Sequence, residues 1–191
     1  MRTWVHVGRL WTNGEPFLAM DSALRRRWRG GGDEDLFEER IVGLWPDVTG
    51  ISVGAGTAFL VGGDGAVRDD SWIEVLEADD GALAIVQAAG FDYRHAVAQA
   101  LRYPDHDDVP GDALQVDSGE LAIFSAAADG TDSLLPARPG PVPAVHGWPT
   151  GTADPGLLIK TSHPAYRLAV RWYTELPGGG CFARWLLLPE R

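Results

Sequence analysis

The chain has 191 residues and a formal net charge of −11, with 45% hydrophobic and 23% charged residues, the composition of one globular domain or two small ones. The longest strongly apolar stretch, Leu83 to Phe91, is broken by Gln87 and Gly90 and falls short of the ~20 residues of a membrane-spanning helix. The amino-terminal MRTWVHVGRLWTNGE lacks a signal-peptide core, so a cytoplasmic location is expected, and the lone Cys181 excludes an intramolecular disulfide or a multi-cysteine zinc site.

Trp4 to Val7 alternates as a strand that runs into a turn at Trp11 to Gly14, and Pro16 to Met20 forms a second short strand. Asp21 or Ser22 then caps a predicted helix through Arg29, with Leu24 and Trp28 four apart on one face and Gly30, Gly31 and Gly32 ending it. In DEDLFEERIVGLW, residues 33–45, Leu36, Phe37, Ile41, Leu44 and Trp45 fit a helical stripe, while Ile41 to Trp45 equally suits a strand; a short helix is the favoured reading.

From Thr49 the pattern turns to strands at 51–53, 57–61, 71–76 and 82–88, read as an antiparallel meander, with Asp79, Asp80 and Gly81 as a hairpin turn. Gly90 and Asp92 open a helix carrying Tyr93, Ala96, Val97, Ala100 and Leu101, closed by Tyr103-Pro104. The loop 104–112, PDHDDVPGD, is the best internal boundary: residues 1–104 read as an N-terminal α+β half and 113–191 as a C-terminal β-rich half, packed as one compact unit. Strands follow at 113–116 and 120–126, then a loose, proline-rich stretch from Asp129 to Pro155, then LLIKT, YRLAVRWY and CFARWLLL, the last two joined by a hairpin at Pro177 to Gly180. The expected class is α+β, mainly antiparallel sheet in a meander and hairpins, with two or three short helices.

Chemical motifs are sparse. Gly54-Ala55-Gly56 suggests a nucleotide loop, but a strand rather than a helix follows, and the single lysine, Lys160, lies in a late strand; a glycine-rich hairpin is the simpler reading. Asp105, His106, Asp107, Asp108 and Asp112 carry ligand chemistry at close spacing without the order of a calcium loop. They read as a solvated turn, an acidic contact surface or a weak cation site. The five histidines fall at no helical zinc spacing. Ser118, between Asp117 and Gly119, lacks the strand-to-helix elbow of a serine hydrolase, so a hydrolase built on Asp117, Ser118 and His163 is disfavoured; no catalytic residue, metal or cofactor is expected. Of eight tryptophans, Trp72, Trp172 and Trp185 lie in apolar strands and read as core, whereas Trp148, beside His146 in the proline-rich stretch, is the candidate binding anchor for a partner or a sugar.

Charge is unevenly spread. Residues 1–32 hold 6 basic and 2 acidic side chains, residues 33–132 hold 4 and 22, and residues 133–191 hold 6 and 3. An acidic body repels phosphate, which disfavours nucleic acid and anionic lipid, and favours a basic protein partner. Excess acid for colloidal stability is the plainer alternative.

The order WTNGEPFLAM, a Trp-Arg-Gly closing a short helix, ISVGAGTAFLVGGDG, SWIEVLEADDGALAIVQAAG with a following helix, and DSGELAIFSAAADG resembles the immunity protein 21 family of bacterial polymorphic toxin systems over residues 4–130. The resemblance implies a small cytoplasmic α+β protein, not an enzyme, that binds and neutralises a cognate toxin domain; a basic nuclease is one such toxin. On that reading the partner-binding residues are Asp105, Asp107, Asp108 and Asp112, with Trp148 as anchor. The alternative is a small-ligand or carbohydrate-binding module using exposed tryptophan.

Overall fold

The computed structural model describes residues 2–30, 41, 48–62, 67, 70–144 and 156–190. Among them are twelve strands: β1 (Trp4–Asn13), β2 (Phe17–Asp21), β3 (Gly50–Val53), β4 (Gly56–Val61), β5 (Asp70–Ala78), β6 (Leu83–Ala89), β7 (Val109–Gln115), β8 (Glu120–Ser125), β9 (Leu135–Pro136), β10 (Leu157–Lys160), β11 (Ala165–Leu176) and β12 (Gly180–Pro189). One α-helix, α1 (Tyr93–Arg102), lies between β6 and β7. The strands form two six-stranded sheets, ordered β1-β5-β6-β12-β11-β7 and β3-β4-β2-β8-β10-β9. All pairs are antiparallel except β9 with β10.

This corrects the expected class: the described chain is mostly β, with two sheets and one α-helix, rather than α+β with two or three helices. The helix expected from Asp21 or Ser22 to Arg29 is a single 3-10 turn, Arg25–Arg27. Tertiary bonds explain the difference. Asp21, the last residue of β2, is buried, and its carboxylate accepts from the backbone N–H groups of Ala23 and Ser118 at 2.8 and 3.0 Å, so the turn begins with an Asx bond rather than a cap. Arg25 donates to the carbonyls of Gly130 and Asp132, and Trp28 is buried with its indole N–H on the Ala126 carbonyl, 2.8 Å away. The favoured helix at 33–45 lies outside the described residues apart from Ile41.

The strands expected from 49 to 88 are present but do not form one meander: β3 and β4 pair in the second sheet, β5 and β6 in the first. Both sheets draw strands from either side of the 104–112 segment. That segment is shorter as a loop than expected, because β7 begins at Val109 and carries Pro110. Proline is tolerated there because β7 is a sheet edge and pairs only with β11.

Alternation along β12 shows how the layers are built. Ala183, Trp185 and Leu187 enter the larger core, with Phe17, Phe59 and Phe124 of the second sheet. Phe182 and Leu186 point the other way, into a smaller core with Ala96, Val97 and Ala100 of α1. The first sheet is thus covered on both faces at its centre, and a charged residue at an even position of β12 is forced under the helix. No described helix is long and apolar enough to cross a membrane.

Candidate functional site

The expected acidic site is organised by the end of α1. Asp92 caps the start of that helix, its carboxylate accepting from the His95 N–H at 3.1 Å. At the other end Tyr103 is extended, as a residue before proline must be, and leaves helix carbonyls without intrahelical donors. Arg184, on the helix-facing side of β12, supplies the donors: Nη1 reaches the Ala100 and Tyr103 carbonyls at 2.7 and 2.9 Å.

Asp108 neutralises that arginine. Its Oδ2 accepts from Arg184 Nη2 at 2.7 Å and its Oδ1 from Arg171 Nε at 2.7 Å, and its side chain is 1% exposed. The Arg171 guanidinium also lies over the Tyr103 ring, 5.4 Å from its centre, and Tyr103 packs on Phe182. Asp108 was expected among the partner-facing acids; here its carboxylate is spent inside the molecule, because two buried or half-buried arginines need a counter-ion more than solvent does.

The remaining acids stand differently. Asp105 and Asp107 are exposed on the turn that Asp108 anchors, closed by a bond from the Asp108 N–H to the Asp105 carbonyl at 3.1 Å. Asp107 is 67% exposed and pairs with His106 at 3.1 Å. Asp112 is exposed on β7 and accepts from the Thr49 hydroxyl at 3.3 Å. Val109, 48% exposed, adds an apolar surface between them. Trp148 lies outside the described residues, and none of the described tryptophans is exposed. No group of three or more His, Cys, Asp or Glu side chains among the described residues is placed to hold a metal ion.

The disfavoured hydrolase residues are apart in their bonding. The Ser118 hydroxyl pairs with Ser22 and with the backbone of Glu120, while His163 stacks edge-on against Tyr166. Gly54 adopts a φ of +60° at the β3–β4 turn, so the Gly-Ala-Gly motif is a hairpin.

A second polar cluster was not legible in the sequence. Glu74, in the middle of β5, is fully buried and accepts from His6 Nε2 at 2.7 Å, Arg9 Nε at 2.8 Å and the Tyr93 hydroxyl at 2.7 Å. A register shift between His6 and Gly8 brings His6 and Arg9 to the same carboxylate. Burial alone pushes the Glu74 carboxyl up, but the bonds from His6, Arg9 and Tyr93 outweigh it and hold the group below the usual range. Burial and the Glu74 charge push the Tyr93 phenol up. Arg9 lies over the Trp72 and Tyr93 rings and reaches the Pro143 carbonyl at 3.0 Å. The segment 138–140 bonds along the free edge of β1, with Arg138 N–H on the Val7 carbonyl and Gly140 N–H on that of His6, both 2.9 Å. This cluster seals an edge strand. Its sequence signal is a lone acid amid apolar neighbours in SWIEVL, which reads equally as a solvent-facing position.

Compared with known protein families, characterised proteins and solved structures, the chain matches none, so function is argued from the geometry above.

Proposed function

We propose that this protein is a bacterial immunity protein that binds and neutralises a cognate toxin domain, acting by occlusion rather than turnover. The observation that carries the reading is the split among the loop acids: Asp108 is consumed by Arg171 and Arg184, and this holds Asp105 and Asp107 outward on a fixed turn. A turn already ordered by an internal ion pair loses less conformational freedom on association than a free loop would. Asp112 and the apolar Val109 extend the same edge. The net charge of −11 supplies long-range attraction for a basic domain such as a nuclease, whose phosphate-binding surface an acidic face can occupy. The resemblance to immunity proteins supports the same reading, and a cytoplasmic site of action follows from it.

The test is to co-express the protein with the product of the reading frame beside its gene, ask whether the two co-purify and titrate the pair at two salt concentrations. A complex that rescues growth and weakens with salt supports the reading. Absence of a complex, with normal growth when the neighbour is expressed alone, overturns it. Salt-independent affinity would leave a partner but remove the acidic edge as its contact.

A further inference from the structure

A groove of about 540 Å³ runs between the start of β1, the last turns of α1 and β12. Its lining includes Trp4, Tyr103 and Leu186 together with Arg2, Arg102, Arg184 and Asp105; Arg184 is already paired with Asp108 and Arg2 with Asp80.

We propose that this groove binds a small aromatic carboxylate, its ring against Trp4, Tyr103 and Leu186 and its charge between Arg2 and Arg102. The proposal does not depend on the toxin-binding reading, since the occupant is a small molecule.

Three observations lead there. The volume is that of a small-molecule site, and an apolar wall with a few convergent polar groups is the usual character of one. Arg102, exposed at the last turn of α1, makes no ion pair among the described residues, so its charge is available. Arg2 is oriented by Asp80, whose carboxylate accepts from its Nε at 2.8 Å. Arginine forks suit a planar carboxylate, and an aromatic body suits walls of Trp and Tyr.

The experiment is calorimetric titration of the full chain at low ionic strength with naphthalene-2-carboxylate. Two controls accompany it: 2-naphthamide, which keeps the ring without the charge, and acetate, which keeps the charge without the ring. The carboxylate is expected to bind saturably, and both controls about tenfold or more weaker, the effect of one charge-assisted bond or of the lost ring contact. Arg102→Gln, at an exposed position, is expected to weaken the carboxylate about fivefold while leaving the thermal melt unchanged. The carboxylate is also expected to shift the Trp4 indole N–H resonance, identified by its loss in Trp4→Phe. No saturable binding, equal binding of the amide, or unchanged affinity in both Arg102→Gln and Arg2→Gln would overturn the proposal.

Discussion

Glu74 holds a full charge at 0% exposure with three donors converging on it, so its value to the fold lies in the completeness of the set. Glu74→Ala leaves His6, Arg9 and Tyr93 facing one another around a hole and is expected to cost about 3–5 kcal/mol in urea unfolding, the usual cost of removing one partner of a buried pair. The carboxyl is held below its ordinary value of 4.5. Its contribution is therefore complete above the unfolded value and is lost as pH falls through the lower folded one. Thermal melts from about pH 7 down to about pH 3 should show the wild type losing stability below the unfolded value more steeply than Glu74→Gln, which has no carboxylate to protonate. A melt that falls equally in both would assign the acid sensitivity elsewhere.

At the scale of elements, tertiary bonds decide where local preference is weak. The 22–30 segment has helical spacing, but Gly130 passes so close to it that a Cβ at that residue would overlap the Arg25 carbonyl. Gly130→Ala is accordingly expected to cost about 1–3 kcal/mol or more, as overpacking against backbone does, with the Trp28 fluorescence shifting toward that of a solvated indole. The acidic turn behaves as a unit with α1 for a different reason. Asp108→Asn removes the shared counter-ion of Arg171 and Arg184 and is expected to lower stability by about 2–3 kcal/mol. Hydrogen exchange should locate the loss at Ala100 to Val109 rather than across the sheets. Arg184→Met in the Asp108→Asn background tests the coupling: a smaller further loss than Arg184→Met alone shows that the two residues act together.

For the whole molecule, the consequence of the charge pattern is kinetic. Replacing Asp105 and Asp107 by Asn leaves the fold intact, since both are exposed, and is expected to slow association with a basic partner about tenfold at low salt while dissociation changes less. Stopped-flow rates at two ionic strengths check this. The double variant should also show a weaker salt dependence than the wild type. Equal rates in both proteins would place the contact on another face.

The sequence by itself determined most of the strands, though not β9, the start of β7 or the run of β1 to Asn13 through the expected turn, together with the hairpins at Gly54 and at Asp79 to Gly81 and the boundaries of α1, because each of these is written in local periodicity, a turn residue or a cap. It also determined the acidic balance. Only the tertiary structure decided that consecutive hairpins belong to different sheets and that Asp108 turns inward while Asp105 and Asp107 stay out. The burial of Glu74 and Arg184 is not legible in the sequence for the same reason. Strand alternation says that a residue faces one side of a sheet, but not whether a helix or another strand's loop will cover that side. Burial of a charge is fixed by partners from distant segments, for Glu74 as far as 68 residues away and for Arg184 76 to 84 away, which no local pattern records.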